Sequence, residues 1–310
     1  MTRLKMQFTR RSFIQSLAVL SAASALSPWA LAAERRPIKK PIPSSGESLP
    51  VIGMGTARTF DVADDPQTMV QLAAVLRAFF DHGGALIDSS PMYGNAERVL
   101  GQLLPQADGQ RPLFAATKVW IDGKEAGIEQ MERSRGLWGV KRFDLMQIHN
   151  LRDWRAHLET LKAWKAQSRV RYIGITTSHG RDHEALQSIM EKEALDFVQF
   201  SYNIEDRAVE DRLLPLAADR GIATLINRPF QRGSLFRRVE NNPLPAWAAD
   251  YDIASWAQFF LKFIVSHPAV TCAIPATSKT HHMVDNIGGN HGALPDARTR
   301  QRMVQYFASL

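Results

Sequence analysis

From residue 51 onward, short apolar runs alternate with longer segments whose apolar positions recur at helical spacing. Eight runs rich in Val, Ile and Leu predict strands: Val51–Gly55, Ala85–Asp88, Leu113–Val119, Phe143–His149, Val170–Thr176, Phe197–Ser201, Ile222–Asn227 and Val270–Pro275. The segments that follow them predict helices over Pro66–His82, Ala96–Leu104, Glu125–Leu137, Asp153–Gln167, Arg181–Glu191, Asp206–Arg220, Ile253–Ser266 and Thr280–Ile287. Pro295–Leu310 predicts one more helix outside this repeat. Continuous apolar strands separated by amphipathic helices indicate a parallel sheet with crossover connections. Eight such units in about 240 residues predict an α/β fold, a single-domain (β/α)8 TIM barrel. An open doubly wound sheet gives the same alternation, but no GxGxxG follows any early strand.

The composition is that of an ordinary globular chain: 310 residues, 45% hydrophobic and 22% charged. Disordered, collagenous and disulfide-scaffold classes are thereby excluded. The formal charge of +7 would invite a nucleic-acid or membrane-surface reading, so its location matters. Four of the basic residues, Arg3, Lys5, Arg10 and Arg11, stand before an uncharged, mostly apolar run from Ser12 to Ala33, which ends in Ala30-Leu31-Ala32. That arrangement is a leader with a signal-peptidase site. The segment Thr9-Arg10-Arg11-Ser12-Phe13-Ile14-Gln15 resembles a twin-arginine export signal. The expected domains are therefore a signal peptide over 1–32, a basic Pro-rich linker over 33–43 and a barrel over 44–310. The linker holds the remaining excess charge, and the body from Ser44 onward is net neutral, which removes the case for nucleic acid. A periplasmic location follows, without stable membrane insertion after cleavage; the alternative is a membrane anchor formed by an uncleaved N-terminus. The one cysteine, Cys272, lies in an apolar run and reads as buried and inert.

In a TIM barrel the active site lies at the C-terminal strand ends. The second, third and fourth strands end in Asp88, Lys118 and His149, and Tyr93 follows Asp88 by five residues. A lysine beside a tyrosine favours the phenolate and draws the hydroxyl's pKa toward working pH. Asp88 would hold Lys118, and His149 would orient a substrate carbonyl toward the Tyr93 hydroxyl, a general acid. No side chain donates hydride, so a nicotinamide cofactor is implied. Taken singly, Asp88 also reads as a turn residue, Lys118 as a surface lysine and His149 as a hydrogen-bonded core histidine.

These residues also carry a resemblance. Asp88-Ser89-Ser90-Pro91-Met92-Tyr93-Gly94-Asn95-Ala96-Glu97, Ala116-Thr117-Lys118-Val119 and Asp144–His149 resemble the aldo-keto reductase family, across a span from Val51 to about Gly288. The resemblance implies a catalytic tetrad of Asp88, Tyr93, Lys118 and His149. It implies that Gln199 holds the nicotinamide amide, with Gly55, Thr56, Thr176 and Thr177 at the cofactor. Asn227, with Arg228 and Pro229, stands where an aromatic residue commonly stacks on nicotinamide. Thr277, Ser278, Lys279, His282, Asp285 and Asn286 correspond to the phosphate and adenine segment, with His282 in place of an arginine. Lys279 favours NADPH, with NADH left open. The function implied is reduction of an aldehyde or ketone to an alcohol by a monomer, with the small carbonyl substrate and the twin-arginine export machinery as partners and no metal. A nicotinamide-binding sensor or partner-docking subunit with little turnover is the alternative. The short connections after the third and fourth strands imply an open pocket.

Overall fold

Proline lacks an amide hydrogen and suits sheet edges, which lets the Pro-punctuated segment before the barrel pair as a hairpin. Strand β1 (Lys39–Pro41) pairs antiparallel with β2 (Ser48–Pro50). The computed structural model describes residues 37–63, 65–107 and 112–310; the expected leader lies outside them. The linker expected over 33–43 is corrected in its second half, since Pro37–Leu310 is one compact unit that includes the hairpin. Ile42 and Leu49 are buried in the apolar cluster that fills the barrel interior. Lys40 turns its ammonium onto the carbonyls of Val265, His267 and Val270 at 2.7, 2.8 and 2.7 Å. A charge read as part of a tether is therefore a clamp. Burial, with Arg300 adding repulsion, lowers its pKa to about 8.

The barrel strands are β3 (Met54–Gly55), β4 (Leu86–Asp88), β5 (Phe114–Val119), β6 (Phe143–Ile148), β7 (Val170–Thr176), β8 (Phe197–Ser201), β9 (Ala223–Asn227) and β10 (Cys272–Ala273). Each is hydrogen-bonded in parallel to the next. Bridges Ile52↔Ala273 and Gly55↔Ala276 bring the first strand back to the last, so the sheet closes. The fold is a (β/α)8 TIM barrel and a single domain. The closure requires glycine at 53, where a Cβ would stand 2.8 Å from the Leu86 carbonyl and 3.2 Å from Cys272 Sγ. Cys272 is fully buried there, and burial raises its thiol pKa.

Helices cover the outside of the sheet, and their apolar faces join the strands' outward residues in one larger cluster. Two connections differ from the expected pattern. Asp206–Arg220 yields a 3-10 turn, Ala208–Glu210, and a short helix, Leu213–Asp219. Pro215 has no amide hydrogen to give residue 211, so a helix must restart around it. The long connection after β9 contains a helix, Ser234–Val239, that the apolar pattern did not show.

Helices Ala96–Leu103 and Lys124–Trp138 meet at Gly101, where a Cβ would fall 1.7 Å from the Leu137 carbonyl oxygen. Gly101→Ala gains about 1 kcal/mol of helix propensity but forces two backbones apart, as overpacking that costs about 1–3 kcal/mol or more does. A lowered denaturant midpoint with unchanged slope is expected; an unchanged midpoint would show that the helices separate freely.

Candidate active site

Asp88, the last residue of β4, is 1% exposed and is held from three other strands of the barrel. Its Oδ2 accepts from Lys118 Nζ of β5 at 2.5 Å. Its Oδ1 accepts from Gln147 Nε2 of β6 at 2.9 Å and from Gln199 Nε2 of β8 at 3.2 Å. Lys118 is fully buried and also donates to the Ser89 carbonyl at 2.7 Å. Burial works against its charge, but Asp88 and Tyr93 outweigh that and raise its pKa. The pair is thus a fixed ammonium–carboxylate couple beneath the pocket floor.

Tyr93 sits in the turn between β4 and helix Ala96–Leu103, with its ring centroid 5.1 Å from Lys118 Nζ. The turn is gripped by Asp61, which accepts from the Asn95 amide at 2.9 Å. Gly94 there has φ +56°, and its missing Cβ would lie 2.2 Å from Asp61 Oδ1. The expectation that Lys118 draws the tyrosine pKa toward working pH is corrected. Burial raises it, and the opposing Lys118 charge only reduces the rise. Tyr93 is accordingly a protonated hydroxyl at neutral pH, with a cation poised to stabilise the phenolate once the proton has left.

His149 is 5% exposed, and its ring stands edge-on to Tyr93 at 5.6 Å and 89°. Burial and the Lys118 charge push its pKa down to about 2. Ser90 Oγ accepts from the Met92 amide and lies 2.7 Å from His149 Nδ1. A Ser90 hydroxyl that donates to Nδ1 would leave the ring hydrogen on Nε2 and make His149 a neutral hydrogen-bond donor.

Two buried supporting residues escaped the strand-end reading. Gln147, two residues before His149, is fully buried and bonds Asp88. A glutamine facing inward from an apolar strand was the available signal. Glu97 is buried and accepts from Thr117 Oγ1, Ser134 Oγ and Trp138 Nε1 at 2.6, 2.8 and 3.2 Å. Burial raises its pKa against those three donors. It ties helices Ala96–Leu103 and Lys124–Trp138 to the residue beside Lys118.

The expected cofactor residues fall into two groups. Gly55, Thr56, Thr176, Thr177, Gln199, Asn227, Arg228 and Pro229 line one cavity of about 710 Å³ with Asp88, Tyr93 and His149. Gln199 is already engaged, donating to Asp88 and Gln147 and accepting from Asn227 Nδ2 at 3.4 Å. Asn227 donates to the Thr177 carbonyl at 2.9 Å, so it closes a polar ring where an aromatic face was lacking. Phe230 and Phe236, 4.9 Å apart, supply an aromatic wall instead. Thr277, Ser278, Lys279, His282, Asp285 and Asn286 lie past Ala276 and do not line this cavity. Ser278 is held through its carbonyl by Gln71 Nε2 at 2.5 Å, and Asp285 is taken up by Gln258 at 2.9 Å. His282 is a poor substitute for an arginine, because burial and the neighbouring His281 and Lys279 lower its pKa. Sequence reasoning missed His179, Arg181, Arg232, Arg58, Asn150 and Met92, all at the cavity wall. Among the described residues no cluster of His, Cys, Asp or Glu is placed to hold a metal.

The neutral histidines predict an acid limit. His149 stays neutral in the fold, and burial holds His267 down to about 4. Both folded pKa values lie below the ordinary value near 6.5, so the unfolded chain binds more protons as pH falls from about 6.5 toward 4. Stability is expected to fall across that window, by up to about 1.4 kcal/mol per pH unit for a group like His149. Urea midpoints at successive pH values test this; a flat profile contradicts it, and His149→Gln should shallow the slope.

The sequence matches the Aldo/keto reductase family over residues 51–301, and the chain belongs to that family. It is similar to Aldo-keto reductase YhdN of Bacillus subtilis, 26% identical over 202 residues, 59% of each chain. It is also similar to the NADH-specific methylglyoxal reductase of Escherichia coli, 25% identical over 195 residues, 53% of this chain. The chain thus spans 59% and 57% of the lengths of these two relatives. An aldo-keto reductase structure from Klebsiella pneumoniae, in complex with NADPH, superposes with a TM-score of 0.71 at 24% identity, covering 87% of this chain and 95% of the other.

Proposed function

We propose that the protein is an NADPH-dependent oxidoreductase that reduces an aldehyde or ketone to an alcohol. The observation that carries this is the cavity lined by Asp88, Tyr93 and neutral His149, with the buried Lys118 paired to Asp88 behind them. The cavity also fits a nicotinamide. Thr177 Oγ1 is buried at its wall and has no hydrogen-bond partner among the described residues, which leaves a polar group for a ligand. Thr56, Thr177, Gln199 and Asn227 would hold the cofactor's reactive end, and the exposed Lys279 would meet a 2′-phosphate, which favours NADPH over NADH.

NADPH, when bound, supplies the hydride to the carbonyl carbon. His149 Nε2–H donates to the carbonyl oxygen and orients it. Tyr93 gives its hydroxyl proton to that oxygen, completing the alcohol. Lys118 stabilises the resulting phenolate, and Asp88 keeps the ammonium charged and in place. Reprotonation of Tyr93 from solvent restores the site.

The test uses the full chain: binding of NADPH and NADH by fluorescence, then NADPH oxidation across an aldehyde and ketone panel. Turnover that depends on Tyr93 supports the reading. Nicotinamide binding without turnover would favour a sensor or docking subunit, and no binding would overturn both. The export reading of residues 1–32 is a separate proposal, supported by the Arg10-Arg11 pair and the apolar run. Cell fractionation of the chain and of Arg10→Lys/Arg11→Lys tests it: loss of the periplasmic pool in the variant is expected, and unchanged partition counts against it.

A further inference from the structure

Gln147, Gln199 and Asn227 form a chain of side-chain amides that starts at Asp88. One charge sets the direction of the whole chain. Asp88, paired with the Lys118 ammonium at 2.5 Å, is a carboxylate and can only accept hydrogen bonds. Gln147 and Gln199 both reach its Oδ1, at 2.9 and 3.2 Å, so each must turn its NH2 toward it. An amide oxygen turned that way would face a buried negative charge.

Both hydrogens of Gln199 are then committed. One goes to Asp88 Oδ1 and the other to Gln147 Oε1, each at 3.2 Å. What Gln199 has left is its own oxygen. Asn227 Nδ2 reaches that oxygen at 3.4 Å, the outer limit of a hydrogen bond, while it donates to the Thr177 carbonyl at 2.9 Å. Asn227 cannot turn round to offer its oxygen instead. Its Oδ1 accepts from Ser201 Oγ at 2.7 Å, and Ser201 Oγ in turn accepts from the His179 amide at 2.9 Å.

Gln199, Asn227 and Asp88 line the cavity, and Gln147 does not. Gln147 is fully buried on β6 and touches only the side chains behind the wall. Its part is therefore indirect. Without Gln147 Oε1, one N–H of Gln199 would be left buried and unpaired, which is costly. The amide would then gain by swinging its NH2 out toward the cavity, because the 3.2 Å contact with Asp88 alone does not engage both hydrogens.

We propose that Gln147 is a positioning residue for the cofactor: by accepting the second N–H of Gln199, it makes that glutamine present an oxygen, so that the site selects a nicotinamide ring whose substituent carries an N–H. This rests on the nicotinamide-dependent reading above. The test is calorimetric binding, in the full chain, of NADP⁺ and of its 3-acetylpyridine analogue. The analogue keeps the carbonyl on the ring and replaces the NH2 by a methyl group. The wild type should bind NADP⁺ about tenfold more tightly, because the analogue leaves the Gln199 oxygen unpaired. Gln147→Met keeps the volume and removes the acceptor, and Asp88 retains Lys118 and Gln199 as donors. In that variant the preference should fall to about twofold or less, chiefly through weaker binding of NADP⁺. Gln147→Glu offers Gln199 an acceptor oxygen in either protonation state and should keep the preference, whatever it does to stability. A wild-type ratio near one overturns the proposal, and so does loss of the preference in Gln147→Glu. Equal weakening of both dinucleotides in Gln147→Met, with the ratio intact, makes Gln147 a purely structural residue and overturns it too. Failure of the wild type to bind either dinucleotide would overturn the nicotinamide reading and this proposal with it.

Discussion

Tyr93→Phe is expected to lower kcat for carbonyl reduction by about 10²–10⁴-fold, the range for loss of a positioned general acid, while NADPH affinity stays close to wild type. The phenyl ring keeps the edge-on packing against His149 and the position over Lys118, so the fold has no reason to change. What goes is the hydroxyl that would give up the proton. The pH profile gives an independent check. The general acid works below its pKa, and burial holds that pKa above the ordinary tyrosine value. Reduction should therefore persist into alkaline solution, with no loss attributable to Tyr93 between about pH 7 and 9, given an ordinary tyrosine pKa near 10. Stopped-flow measurement of NADPH oxidation across that range decides the point. Activity that survives Tyr93→Phe, or a fall centred near neutrality that this substitution abolishes, would contradict the assignment.

Lys118→Met is expected to cost both activity and stability. The methionine keeps most of the volume of the stem but leaves the Asp88 carboxylate, 1% exposed, without its cation. Removing one partner of a buried pair costs about 3–5 kcal/mol. Gln147 and Gln199 still donate to Asp88 Oδ1, which should hold the loss toward the lower end. Adding Asp88→Asn removes the stranded charge, so the double variant should regain part of the urea midpoint and none of the turnover. Single and double variants of equal stability would show that the pair is not coupled in the way its 2.5 Å contact indicates.

The alternation of apolar runs and amphipathic helices was enough to read the barrel, because most positions of the barrel strands are buried and apolar. Polar residues at the ends of such strands, Asp88, Lys118 and His149, then stood out against that background. The hairpin was not legible. Ser44-Ser45-Gly46-Glu47 and the prolines around it have the composition of a linker, and contacts with residues far along the chain, such as Lys40 with Val265 and Tyr172 with Ser45, make it structure. The sign of the Tyr93 shift was misread for a related reason. Residue type shows a neighbouring charge but not the depth of burial that opposes it. The arginines of the cavity wall were invisible in a different way. Arg58, Arg181, Arg228 and Arg232 are spread over three connections, and only the strand order brings them around His179.

The hairpin has a consequence for how the chain is made. Lys40 finds its three carbonyls 225, 227 and 230 residues further along, and β3 closes the sheet on the last strand. As the polypeptide emerges from the ribosome, the hairpin must wait for residues 265–270, and until then both edges of the growing sheet lack partners. Closing so long a loop is entropically dearer than any neighbouring strand pair and slows folding. Closure of the barrel, which joins its two ends, is thus expected late in folding. An internal break near residues 265–270 would be felt at residue 40.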